Sequence, residues 1–196
     1  MTSPGAEMLA VEPLWQYCLR NGQASHRGTT LHAGRTAVST KGQTAETYWP
    51  YDDALGAGTE TEPASATQAA WYKADVFEVA LAHDGIELLL EEALAAGLPF
   101  VLVVELTAQF ERPATQGEIS TPPLDAPLGD YHAVLAVGAA TNTAGTSRRL
   151  LIRNTWGPGW GAGGYGWLPL DYLIAFAEQV AVIDPASLTT SHHLAR

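Results

Sequence analysis

A histidine opening one apolar run and an asparagine closing the next are placed for proton chemistry. The first run reads Tyr131-His132-Ala133-Val134-Leu135-Ala136-Val137-Gly138. The second ends in Arg153-Asn154-Thr155-Trp156-Gly157-Pro158-Gly159-Trp160-Gly161. Residues 131–139 and 148–154 read as strands, and the polar linker 141–147 predicts a hairpin between them. In a hairpin the start of one strand lies beside the end of the next, so His132 and Asn154 are expected at the same end of a sheet. A catalytic imidazole must hold one tautomer and one ring orientation. An amide oxygen accepting its N–H would do this, and the indole of Trp156 would keep water off the bond. Taken singly, His132 is an ordinary strand-end histidine and Asn154 an ordinary turn residue.

Other chemistries find less support. No Gly-x-Ser-x-Gly elbow occurs. His26, His32, His83 and His132 lack the helical His-x-x-x-His spacing of a metal site, and His192 and His193 stand together in a polar tail. No metal or cofactor is therefore expected. The formal charge of −11 repels nucleic-acid phosphates and anionic lipid, which excludes those partners. Cys18 is the only cysteine, so no internal disulfide can form. No apolar run reaches the ~18 residues of a membrane span, and no basic stretch leads into an apolar one at the N-terminus. A reducing, cytoplasmic setting fits these features, and the abundance of Ala and Gly fits a bacterial source.

The elements that must position the pair can be read along the chain. Apolar residues at helical spacing from Leu9 to Leu19, with Pro13 in the first turn and Asn21-Gly22 as a stop, predict a helix over 7–20. A short helix over 30–40 follows, then the extended aromatic segment Tyr48-Trp49-Pro50-Tyr51. Residues 56–70 read as an exposed loop and 71–80 as a strand. A helix over 85–96 is capped by Asp84, carries Ile86, Leu89, Leu90, Ala93 and Leu94 on one face, and stops at Gly97. Residues 100–106 form an apolar run expected to be buried on both faces. A Pro-rich loop precedes the hairpin. Beyond it come a strand at 165–168, a helix at 171–178 and a strand at 180–183. Helices first, then mostly antiparallel strands, give an α+β arrangement.

On these residues the chain resembles the papain-like (C1-type) cysteine peptidases. The family hallmark is a histidine before an apolar strand, then an Asn-Ser-Trp-Gly segment entering a Gly-rich loop. Here that stretch stands as Asn154 to Gly166, with Thr155 in place of Ser. Gly28-Thr29-Thr30-Leu31, Trp49-Pro50-Tyr51 and Gly97-Leu98-Pro99-Phe100 extend the likeness upstream. The resemblance implies a papain-like fold over residues 1–184, and the polar stretch 185–196 reads as a flexible, frayed tail. It implies His132 as general base, Asn154 as its orienting partner and Trp156 as the shield. It also implies peptide or protein substrates, with Thr29 and Thr30 nearest the specificity pocket.

The same family places its cysteine at the start of a long helix, preceded by an oxyanion-hole Gln. The residues before Gly28 hold no Gln-x-x-x-x-x-Cys pattern. Cys18 sits in the last turn of its expected helix, where the dipole disfavours a thiolate. It also lies closer to His132 along the chain than the family's about 130–150 residues. It is read as a buried, inert thiol. The expectation is a papain-like domain incomplete at its N-terminus, its nucleophile to come from a missing segment or partner chain. The alternative is a non-catalytic homologue that binds peptides or proteins. Without that helix, the apolar faces around Leu14, Leu31 and Val103 are expected to be left open.

Overall fold

The computed structural model describes residues 7–25, 28–52, 61–81, 85–141, 145 and 147–192. In chain order the elements are α1 (Glu12–Arg20), β1 (Ala24–Ser25), β2 (Gly28–Thr29), α2 (Leu31–Thr40), β3 (Gln43–Thr44), β4 (Ala70–Val79), α3 (Ile86–Ala95), β5 (Phe100–Glu105), α4 (Ala108–Glu111), β6 (Tyr131–Thr141), β7 (Arg148–Arg153), β8 (Tyr165–Pro169), α5 (Leu170–Phe176) and β9 (Ala177–His192). The expected α+β class holds. The chain divides into two compact units, one of residues 1–77 with 184–196, the other of residues 78–183.

In the first unit, α1 and α2 pack through small side chains. Cys18, Ala33 and Ala37 are buried together, with Leu14 and Tyr17 against them. Thr30 caps α2 by accepting the Ala33 N–H (3.2 Å). Pro13 sits in the first turn of α1 and Asn21 at its C-cap, as the sequence predicts, but the helix begins only at Glu12. Trp49 and Trp71 meet edge to face at 6.4 Å. Lys41 lies 4.2 Å above the Trp71 ring and pairs with Glu62 at 2.9 Å.

The second unit holds the hairpin. Its strands run in the order β9–β5–β6–β7–β8, each antiparallel to its neighbours. One core is built from the strands together with Ile86 and Leu90 of α3, Phe110 of α4, and Leu170, Tyr172, Leu173 and Phe176 of α5. Phe100, Leu102 and Val104 are fully buried, whereas Val101, Val103 and Glu105 are half-buried. β5 is thus closed on one face only, which corrects the expectation of burial on both. An antiparallel sheet covered on one side permits this, and a purely apolar run does not reveal it. Leu14 and Leu31 are likewise half-buried.

α3 ends as expected: the Leu98 N–H reaches the Ala93 carbonyl (2.9 Å), the Gly97 N–H reaches Leu94 (3.0 Å), and Gly97 takes φ +79. The expected cap Asp84 lies outside the described residues. Leu89, assigned to the buried face, is exposed. The largest correction is at the C-terminus. Residues 185–192, expected as a frayed tail, continue β9. Ser187 Oγ accepts the Asp75 N–H of β4 (2.7 Å) and donates to the Asp184 carbonyl (2.6 Å). Side-chain polarity suggested a tail, but an exposed strand needs only its backbone ladder and β-compatible residues such as Leu188, Thr189 and Thr190.

Because Leu102 is fully enclosed, Leu102→Ala is expected to cost about 2–5 kcal/mol, read as a lower urea midpoint with an unchanged slope.

Candidate active site

The register explains why His132 and Asn154 meet. In β6, Leu135 stands opposite Arg153 of β7, so the residues before Leu135 and after Arg153 continue at one end of the sheet. His132 is also opposite Val104 of β5, which fixes its strand from the other side. The Asn154 N–H donates to the Gly164 carbonyl (2.9 Å). The Gly-rich loop thereby folds back and pins the backbone of Asn154. The Gly164 N–H reaches Trp160 (2.8 Å), and the Ala162 N–H reaches Tyr165 (2.8 Å).

The two side chains are joined. His132 Nε2 lies 2.7 Å from Asn154 Oδ1. The Thr155 N–H also donates to Asn154 Oδ1, again at 2.7 Å. A backbone N–H can only donate, so the atom between them is the amide oxygen and not the nitrogen. An amide oxygen can only accept, so His132 Nε2 must carry a proton. In the neutral imidazole the lone pair is then on Nδ1. The site defines one tautomer and leaves Nδ1 as the basic atom. Asn154 is only 6% exposed, and its Nδ2 is buried with no hydrogen-bond partner among the described residues. Such an orphaned donor costs about 1–3 kcal/mol.

Aromatic rings enclose this pair. The Trp156 ring lies 4.7 Å from the imidazole at 34°, and the indole is 41% exposed. One face of the ring therefore screens His132 while the rest meets solvent. Phe110, fully buried, is a hub that the sequence reading did not single out. It stands edge-on to His132 (6.0 Å) and to Trp156 (5.8 Å), and tilted against Trp160 (5.4 Å). Its carbonyl accepts the Trp160 Nε1–H (3.1 Å). Trp160 in turn lies on Gly166, where a Cβ would come within 2.6 Å of the indole. An aromatic between Gln109 and Glu111, shortly before Pro113, carried no readable signal, because α4 is only one turn long.

A hydrogen-bond chain holds that turn. Phe110 N–H donates to Thr107 Oγ1 (3.3 Å), which is 3.2 Å from the Tyr172 hydroxyl, and the Tyr172 hydroxyl donates to the Glu105 carbonyl (2.6 Å). With the tyrosine proton committed to Glu105, Thr107 must supply the proton between the two hydroxyls. Burial pushes the Tyr172 pKa above the ordinary 10.0.

Of the other candidates, Cys18 is 1% exposed, on α1 of the first unit. Thr29 and Thr30 lie in that unit too, Thr29 at the end of β2 and Thr30 at the N-cap of α2. His26, His83 and His193 lie outside the described residues. Among the described residues no cluster of three His, Cys, Asp or Glu could hold a metal ion. No described helix is long and apolar enough to cross a membrane.

Comparison with known proteins follows the same lines. A family model described as "Papain family cysteine protease" matches residues 12–173. Among solved structures, the chain is similar to xylellain, a cysteine protease from Xylella fastidiosa, with TM-score 0.69 and 24% identity over 90% of this chain and 69% of that one. It is similar to the ragweed pollen allergen Amb a 11 cysteine protease in its proform, with TM-score 0.68 and 22% identity over 91% and 53% of the two chains. It is also similar to the bromelain protease of Ananas comosus, with TM-score 0.58 and 18% identity over 95% and 79%. A search of curated proteins finds no sequence match.

Two outcomes follow from the geometry. Nitrogen NMR of neutral His132 should show the Nε2–H tautomer, and Asn154→Ala should turn it into a tautomer mixture. Tyr172 should steepen alkaline unfolding. Its folded pKa lies above the unfolded one, so its contribution is intact below about pH 10 and lost as pH rises through the folded value. Tyr172→Phe should flatten that part of a stability-against-pH curve.

Proposed function

Since the chain belongs to the papain family of cysteine proteases, we propose that it supplies the base-bearing part of a Cys/His/Asn site for peptide-bond hydrolysis. The observation that carries this is the double hydrogen bond at Asn154 Oδ1, which leaves His132 Nδ1 as the basic atom. In this reading Nδ1 takes the proton of a cysteine thiol and later returns it to the leaving amine. Asn154 holds the ring in line, and Trp156 keeps water from competing for the Nε2–H. No cofactor is required for any of these steps.

The nucleophile is the open term. Cys18, the one cysteine of the chain, is enclosed with Ala33 and Ala37. In a well-studied serine protease, loss of the nucleophile alone lowers kcat by about 10⁶, near 8 kcal/mol. In this proposal the thiol is therefore provided from outside the 196 residues, by upstream sequence or a second chain. The enclosure of Cys18 also favours a second reading, in which the domain binds peptides or a partner protein without cutting them.

A fluorogenic peptide assay on the 196-residue chain and on the longest in-frame product separates the two. Thiol-dependent turnover by the longer product, abolished in His132→Ala and reduced at least tenfold in Asn154→Ala, supports hydrolysis. The 196-residue chain should show no turnover, and Cys18→Ala should leave it unchanged. Turnover lost in Cys18→Ala would instead make that thiol the nucleophile. A longer product with no Gln/Cys-bearing segment and no turnover would leave the binding reading.

A further inference from the structure

The Gly-rich loop that pins Asn154 leans on a second turn, earlier in the chain. Within the loop, the Ala162 N–H donates to the Tyr165 carbonyl (2.8 Å) and the Tyr165 N–H to the Ala162 carbonyl (3.3 Å). Between them stand Gly163 (φ +67) and Gly164 (φ +92). This is a tight reversal of the kind that needs positive φ at both central residues. From the second of those positions Gly164 presents its carbonyl to the Asn154 N–H. A shift of the Ala162–Tyr165 pair therefore moves the atom that holds Asn154.

The pair is braced from outside by residues 114–119. The Gly117 N–H donates to the Ala114 carbonyl (3.0 Å) and the Ala114 N–H to the Glu118 carbonyl (2.7 Å), which closes the turn from both ends. Glu118 then bridges Trp167 of β8 in parallel, and the Ile119 N–H donates to the Trp167 carbonyl (3.1 Å). Gly117 itself is buried. A Cβ there would stand 2.6 Å from the Tyr165 carbonyl oxygen and 3.0 Å from the Ala162 nitrogen, the two atoms of a loop-closing hydrogen bond. Both are backbone atoms, so the loop itself would have to move. To deliver Gly117, the preceding Gln116 takes φ +69, the one positive φ among the described non-glycine residues. A residue with a Cβ is uncommon in that region and adopts it at a cost. The surrounding bonds, rather than the residue's own preference, hold the turn.

We infer that Gly117 is a positioning residue for His132, acting through the Gly-rich loop. Its missing side chain lets the 114–119 turn close on Ala162 and Tyr165. That contact sets Gly164, Gly164 sets Asn154, and Asn154 sets the ring. The inference rests on the proposed function for its catalytic meaning, whereas the alignment it describes needs no nucleophile.

Nitrogen NMR of the 196-residue chain tests this, with neutral His132 as the reporter. Gly117→Ala should turn the single Nε2–H tautomer into a mixture. Gly42→Ala is the control for strain alone: Gly42 has φ +78, and its Cβ would come 2.5 Å from the Tyr72 carbonyl oxygen in the first unit. That variant should lower the melting temperature and leave the tautomer single. Gln116 is exposed, so Gln116→Val strains the same turn without adding an atom toward the loop. It should shift the tautomer ratio in the same direction as Gly117→Ala, and Gln116→Gly should match the parent. A folded Gly117→Ala that keeps the single tautomer overturns the inference, and so does an equal mixture in Gly42→Ala. If Gly117→Ala does not fold, a single tautomer in Gln116→Val overturns it instead. Absent hydrolysis by the longer product, with the tautomer pattern as expected, counts against the proposed function alone.

Discussion

The second unit is organised around one oxygen atom. Asn154 Oδ1 accepts two hydrogen bonds, from an imidazole and from the next residue's own backbone. The backbone donor cannot rotate or exchange roles, so it removes the ambiguity that usually attends an asparagine amide. Once the oxygen is assigned, the histidine has no choice of tautomer. The requirement extends outward. The backbone of Asn154 must be held, and the Gly164 carbonyl holds it; the loop that presents Gly164 must fold back on itself, and Trp160 gives it a buried anchor.

Phe110 ties this arrangement to the rest of the core. It touches the rings of His132, Trp156, Trp160 and Tyr172 at centroid distances of 5.4 to 6.1 Å. Rings at such spacings and inclinations favour edge-to-face and tilted contacts. The shared partner means that the imidazole and both indoles of the loop lean on a single side chain. That side chain rides on a one-turn helix too short to stand by its own hydrogen bonds. The chain of hydroxyls through Thr107 and Tyr172 supplies what the helix lacks, and it anchors the turn to the carbonyl at the end of β5.

The parts legible in the sequence were those written in local patterns. The strand that His132 opens, the strand before Asn154, and the Schellman-type stop at Gly97 all follow from alternation, turn residues and glycine placement. Long-range packing decided the rest. Nothing in the alternation of β5 distinguishes a strand covered on one face from one covered on both, because Val101 and Val103 are as apolar as Leu102 and Val104. The extension of β9 past Asp184 depends on a backbone ladder, to which residue polarity is blind. Phe110 was hidden for a similar reason: its importance lies in what surrounds it, and its neighbours in sequence are polar or exposed.

The imidazole and the amide are separated by only 22 residues, within a β6–β7 hairpin and the few residues flanking it. Closing a loop of that size has an entropic cost that grows only with the logarithm of its length. Contacts so local tend to form fast and to survive changes elsewhere in a chain. The pairing is thus closed within one supersecondary motif, while the ring it aligns is braced from outside by Phe110 and by the strand opposite. A chain extended or fused at a distance keeps the aligned ring so long as the hairpin, its glycine loop and that brace stay together.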